Sequence, residues 1–166
     1  MILIAYDGSD DAKAAIEHAA HLMPGQPATV VTVWEPYIQL LTRYPAPGAL
    51  LAGDDTGQID EASREAAEEK AEEGAGLARR HGLDASARAI TRQDSVAETL
   101  LSEADRSNAS AIVSGSRGLG GLSSLLLGSV SHALLQRADR TVIIVPSPKV
   151  AQKRNEKLRP VPEGAD

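Results

Sequence analysis

Four residues of this 166-residue chain stand at a spacing that suits a phosphate: Gly115, Gly118, Gly128 and Ser129, in the pattern G-x2-G-x9-G-S. Glycine has no Cβ to obstruct a ligand approaching its peptide N–H, and it permits positive φ. If a helix begins after Gly128, its first N–H groups are unpaired and carry a partial positive charge, so an anion is favoured there. Ser129 and Ser131 add hydroxyl donors. The implied chemistry is retention of a phosphate by backbone geometry rather than by a lysine. A second candidate is Asp7, a residue type that commonly fixes a ribose by accepting its hydroxyl protons. Its plainer alternative is a turn residue ahead of Ser9.

Better-known motifs fail on position. A Walker A loop needs Lys after its last glycine, and Gly120-Gly121 is followed by Leu122-Ser123. A dinucleotide fingerprint would place its third glycine where Ser123 stands, and would follow the first strand rather than the fourth. A nucleophile elbow around Ser116 is broken because its first position is Ser114. A triad of Ser116, His132 and Asp7 therefore has little support. His18, His21, His81 and His132 lack metal-ligand spacing, save that His18 and His21 share a helix face, and solvated histidines are the simpler reading.

These residues need elements to position them. Ile2 to Ala5 reads as a strand, Asp7-Gly8-Ser9 as a turn with Ser9 as N-cap, and Asp10 and Asp11 as favourable acids in a first helical turn. Ala12, Ala15, Ile16, Ala19 and Ala20 share an apolar face. Ala28 to Trp34 is a second strand, apolar enough to be buried on both sides. Residues 35–57 show no periodicity and carry Pro36, Pro45, Pro47, Gly48 and Gly53; they are expected as a loop, serving as lid, partner surface or plain connection. Glu61 to His81 is a long helix with a solvated acidic face and a packing face of Ala67, Ala71, Ala75 and Ala78. Ala85 to Thr91 is a third strand. Ser95 and Glu98 form a capping box for a helix presenting Val96, Leu100, Leu101 and Ala104. Ala109 to Ser114 is a fourth strand, Val130, Ala133, Leu134 and Ala138 mark the helix after the glycine loop, and Thr141 to Val145 is a fifth strand.

Alternating strands and helices predict an α/β fold, a single three-layer α/β/α domain over residues 1–147. Residues 148–166 are expected as a polar, mobile tail. If strand 1 lies beside strand 4, Asp7 and Gly115 face each other across a switch-point crevice.

Composition bounds the function classes. The chain has no Cys, so it has neither a disulfide framework nor a thiolate metal site. Net charge is −6; residues 149–166 carry five Lys/Arg and three Asp/Glu, or +2, which leaves −8 on the body. An acidic body argues against nucleic acid as partner. The apolar run at the N-terminus is too short for a signal peptide or a membrane span, and a cytoplasmic protein with no membrane partner is expected.

The glycine spacing, the Asp after strand 1 and the flanking text VSGSRGLGGLSSLLLGSVSHALLQRA together resemble the universal stress protein family, over about residues 1–146. The resemblance implies five parallel strands in order 3-2-1-4-5, a homodimer, and ATP binding by members with the G-x2-G-x9-G-S/T pattern. Asp7 would lie by the ribose and the Val33 backbone by the adenine. Gly115 and Gly118 would let the chain pass close to ribose and phosphates, while Gly128, Ser129, Val130 and Ser131 would cap the phosphates. Ala5, Tyr6, Ser114 and Arg117 complete the expected binding set, with no catalytic residue assigned. Many relatives carry a basic residue in the nine-residue span, but Leu119 to Leu127 has none, so Mg²⁺ is expected to neutralise the triphosphate; AMP and cyclic AMP are alternative ligands. Arg92, where relatives often have Gly, is unexplained. The function implied is a nucleotide-dependent dimeric switch in the stress response, dimerising through strand 141–145. The alternatives are a nucleotide-free interaction module and a slow ATP hydrolase or autophosphorylating protein; without a positioned general base, enzyme status is disfavoured.

Overall fold

The computed structural model describes residues 1–44, 56–119 and 127–158. Five strands, β1 (Ile2–Ala5), β2 (Pro27–Trp34), β3 (Asp84–Thr91), β4 (Ala111–Gly115) and β5 (Thr141–Val145), form one parallel sheet in order β3-β2-β1-β4-β5. Both the strand set and the order are those expected. Register pairs Ala5 with Val31 and Ile4 with Val113, so β1 is flanked by β2 and β4 and stops short of both. That early stop opens the crevice at the carboxyl edge.

Helices cover both faces. Ile2, Ile4, Val30, Val113 and Val145 point toward α1 (Asp10–Leu22) and α3 (Thr56–Arg80), while Leu3, Val31 and Ile112 point toward α4 (Val96–Arg106) and α5 (Ser129–Arg137). The first face is lined by small residues, Ala12, Ala15, Ala19, Ala75 and Ala78, which lets helices lie close to the sheet. Ser9 caps α1 by accepting from Ala12 N (3.2 Å), and Gly8 in the turn before it has φ +84°. Ser95 likewise caps α4 by accepting from Glu98 N (3.1 Å). The reciprocal half of the expected capping box is replaced: the Glu98 carboxylate pairs with Arg137 of α5 and so ties two helices together.

Three expectations need correction. Within the segment 35–57 read as loop, α2 (Tyr37–Arg43) forms a two-turn helix without a buried residue. It is held from outside: Tyr37 N donates to Asp60 Oδ1 (2.6 Å), and Arg43 pairs with Glu35 (3.0 Å). Arg92, without a role on sequence alone, makes the second ion pair to Glu35 (3.0 Å) and so links the carboxyl ends of β2 and β3. Residues 45–55 of that segment lie outside the described residues. Secondly, α3 begins at Thr56 rather than Glu61. Thirdly, the segment read as a tail carries α6 (Pro148–Leu158), with Val150 buried; the remainder of the tail lies outside the described residues. Among the described residues no helix is long and apolar enough to cross a membrane.

Candidate functional site

Where β1 ends, the chain turns through Asp7, whose carboxylate holds two segments at once. Oδ1 accepts from Ser9 N (3.0 Å) and Oδ2 from Leu119 N (3.2 Å). The turn reading of Asp7 is therefore correct as far as it goes, and its second oxygen anchors the glycine loop after β4. Gly118 makes this possible, because a Cβ there would overlap Asp7 Oδ2.

Gly115 is needed for a different contact. A Cβ on it would lie 2.7–2.9 Å from Asp11 C, Asp11 Cβ and Ala12 N, so glycine lets the end of β4 press against the first turn of α1. Ser116 follows, fully buried, and each of its polar groups is engaged. Its N–H donates to Val145 O (2.7 Å), its carbonyl accepts from Gly128 N (2.8 Å), and its hydroxyl donates to Asp11 Oδ2 (2.6 Å). Asp11, expected only as a favourable acid in the first helical turn, is buried.

On the far side of the span stands the start of α5. Its N-cap, Gly128, offers no side-chain acceptor, and the first helical bond runs from His132 N to Gly128 O (2.9 Å). The Ser129, Val130 and Ser131 N–H groups thus have no helical acceptor and face the crevice with the positive end of the helix dipole. The Ser129 hydroxyl is exposed. Ser131 departs from expectation: it is buried and its hydroxyl proton goes to Gly115 O (2.7 Å). Its side chain braces the loop and is not a free donor; its N–H remains with the helix start.

These pieces enclose one cleft of about 430 Å³ at the carboxyl ends of β1, β2 and β4. Ala5, Tyr6, Asp7, Val33, Ser114, Gly115, Arg117, Gly118, Gly128, Ser129, Val130 and Ser131 all line it. Sequence reasoning missed Ala12, Val31, Val96, Leu100 and Leu127, which also line it; Val31, Val96 and Leu100 make its β2–α4 end apolar. The available signal was Val96 with Leu100, an i,i+4 pair at the start of α4; it was assigned to the core, and Leu100 serves both.

Two details shape that apolar end. Tyr6 is buried against α3 with its hydroxyl donating to Glu73 Oε1 (2.9 Å); burial, then the bond to Glu73, pushes its ionisation well above the ordinary tyrosine value. It therefore presents a neutral wall. Beyond the Ala5–Val31 pair, Tyr6 N still bonds Val31 O (2.9 Å), but the Tyr6 carbonyl takes the Thr32 hydroxyl (2.9 Å). Val33 N–H and C=O point to the same side as those of Val31, past the end of β1, where among the described residues no strand pairs with them.

The model of the universal stress protein family matches residues 1–146. The chain belongs to the universal stress protein family. Within the family, universal stress protein YxiE of Bacillus subtilis (strain 168) is 31% identical over 147 residues, 87% of this chain and 97% of the relative. The structure of a universal stress protein from Archaeoglobus fulgidus aligns with TM-score 0.61 and 26% identity, covering 87% of this chain and 96% of that one. Family structures with ligands share the fold: an A. fulgidus protein in complex with dAMP (TM-score 0.54, 23% identity, 87% and 95% covered), a universal stress protein in complex with cAMP (0.57, 23%, 88% and 96%) and an Arabidopsis thaliana member with AMP bound (0.57, 18%, 87% and 90%).

Proposed function

We propose that this universal stress protein binds an adenine nucleotide, ATP with Mg²⁺, in the cleft at the end of β1, and acts as a dimeric nucleotide-dependent switch. One observation carries the binding: an uncapped helix start and an unpaired strand-end peptide stand at opposite ends of a single cleft. A nucleotide has matching ends. Its phosphates suit the Ser129–Ser131 N–H groups and the exposed Ser129 hydroxyl. Its base suits the apolar end made by Val31, Val96 and Leu100.

The Val33 peptide adds base selectivity. Adenine carries an acceptor at N1 beside a donor amino group at N6, which match an N–H and a C=O presented together. Guanine carries an acceptor at O6 and a donor at N1, so the same peptide would meet like with like. Between the two ends Asp7 has acceptor capacity left for ribose hydroxyls, since each oxygen uses one of its lone pairs on Ser9 or Leu119. The relatives solved with dAMP, cAMP and AMP support this class of ligand. The side chains offer little positive charge to a triphosphate, so Mg²⁺ enters with the nucleotide.

The experiment is to denature the purified protein and identify any released nucleotide, then titrate the emptied protein calorimetrically with Mg-ATP and Mg-GTP. ATP is expected to bind at least about tenfold tighter than GTP, the effect of roughly one mismatched hydrogen-bond pair. Gly118→Val, which displaces Asp7, is expected to abolish the binding. Equal affinity for ATP and GTP, or binding untouched by Gly118→Val, would place the ligand elsewhere.

A further inference from the structure

We propose that Asp11, acting through Ser116, is a positioning residue for the phosphate end of the cleft. It rests on the nucleotide reading for its ligand but not for its geometry. The Ser116 hydroxyl donates to Asp11 Oδ2 at 2.6 Å, and both residues are buried, with Asp11 6% exposed and Ser116 fully enclosed. Among the described residues no other side chain bonds the Ser116 hydroxyl. The same residue's carbonyl accepts from Gly128 N at 2.8 Å, and the Ser131 hydroxyl, whose proton goes to Gly115 O, stands 3.3 Å from it. Gly128 is the N-cap of α5 and Ser131 lies in its first turn. The orientation of the Ser116 peptide thus sets where the α5 N–H groups point, and Asp11 sets the orientation of Ser116 from α1, on the other side of β4.

The contact is built rather than incidental. Gly115 carries no Cβ, and one would collide with the Asp11 backbone at 2.7 Å; the chain has given up a side chain there and thereby lets α1 come within reach of Ser116. Ser116 N donates to Val145 O at 2.7 Å, so β5 supplies the third fixed point. Neither Asp11 nor Ser116 lines the cleft, which separates their effect from direct contact with a ligand. The adenine end is made by β2 and α4, which, among the described residues, contribute no hydrogen bond to the Asp11–Ser116–Gly128 chain.

Two measurements test it. In the nucleotide-free protein, amide hydrogen exchange at Gly128 is expected to quicken about tenfold in Asp11→Ala and in Ser116→Ala, relative to Ile112 in β4, because loss of one hydrogen bond is of that size. Asp11→Asn, whose side-chain carbonyl still accepts from Ser116, is expected to exchange as wild type. In calorimetry, the preference for Mg-ATP over adenosine is expected to fall about tenfold in both alanine variants and to persist in Asp11→Asn, with adenosine affinity unchanged. A merely structural role would lower the melting temperature and leave that preference intact. Where one alanine variant fails to fold, the other decides. Unchanged Gly128 exchange in the folded variants overturns the positioning role whatever binds; a wild-type protein that binds neither adenosine nor ATP overturns the nucleotide reading, and the exchange result still stands on its own.

Discussion

Gly118 and Gly128 bracket the same span, yet a methyl group would meet different surroundings at each. At Gly118 it would overlap Asp7 Oδ2, and Asp7 cannot swing away without releasing Ser9 and Leu119. At Gly128 the nearest atoms, Arg117 Cα and Ser116 O, stand 3.4 Å from the added carbon, and φ is −64°, open to any residue. Gly118→Ala is therefore expected to weaken ATP binding by about tenfold or more, and Gly128→Ala by less than about threefold, as read by calorimetric titration. Equal losses at the two positions would mean that both glycines serve ligand approach and that the Asp7 contact is unimportant. The glycine spacing made the loop legible in the sequence, but it could not say which neighbour each glycine admits. For the same reason Ser131 was read as a free donor: its residue type is visible in the chain, whereas the direction of its hydroxyl depends on the Gly115 carbonyl folded against it. The sequence marks Asp11 only as a favourable first-turn acid, because its partner Ser116 lies 105 residues along the chain and neither element's own pattern points to the other; the pairing exists only after β4 is laid next to α1. Val31, Val96 and Leu100 were missed as site residues because cleft wall and core use the same side chains.

At the scale of elements, α3 shows how one glycine sets the distance between a helix and the sheet. A Cβ on Gly74 would stand 2.8 Å from Tyr6 Cδ1 and Val30 Cγ1, and both neighbours are buried, so neither can retreat. Overpacking of this kind costs about 1–3 kcal/mol, more than the roughly 1 kcal/mol that alanine gains over glycine inside a helix. Gly76, two residues on, faces only the flexible ends of Arg79 and Arg80, at 3.5 Å or more. Denaturant unfolding is expected to show Gly74→Ala destabilised by about 1–2 kcal/mol and Gly76→Ala stabilised by about 0.5–1 kcal/mol. Stabilisation by both would mean that α3 can ride away from β2 and that the Tyr6 wall of the cleft is not held by packing. The strands were legible to within about two residues at each end because each is a short apolar run bounded by turn residues. What escaped were elements whose stability is not written in an apolar period. The helix α2 buries no residue and depends on Asp60, Glu35 and Arg43, whose partners are distant in sequence. The helix α6 opens with Pro148, which reads as a breaker in a strand-end context but is well suited to a first helical position.

For the whole molecule, the two edges of the sheet are treated differently, and this decides where a second copy would join. In β3, Asp84 N and Arg92 N bond inward to Gln26 O and Trp34 O, so Ala85, Ala87 and Ala89 turn their peptide groups outward. Arg79 already takes the outward carbonyl of Ala85 (2.9 Å), which blunts that edge. In β5, Val145 O accepts from Ser116 N, so Val142 and Ile144 are the residues whose N–H and C=O face outward. They belong to an uncharged run, TVIIV, whose three central residues are half-buried. Such an edge invites pairing, and a two-fold axis through it would continue the sheet from β5 into the partner's β5 while burying the aliphatic side chains. The protein is accordingly expected to sediment as a dimer at micromolar concentration. Ile144→Pro removes an outward donor without touching the β4 ladder, because its N–H is not used there, and is expected to give a folded monomer. The sharper question is whether nucleotide and dimer are coupled. Val145 receives the Ser116 N–H (2.7 Å), so the proposed dimer edge and the proposed phosphate loop are joined by one hydrogen bond. If occupancy shifts Ser116, the dimer constant must respond, and by linkage the monomeric variant must bind ATP with a different affinity from the wild type. Equal affinities for ATP in the dimer and in Ile144→Pro would leave a dimer and a nucleotide site on one fold with no switch between them.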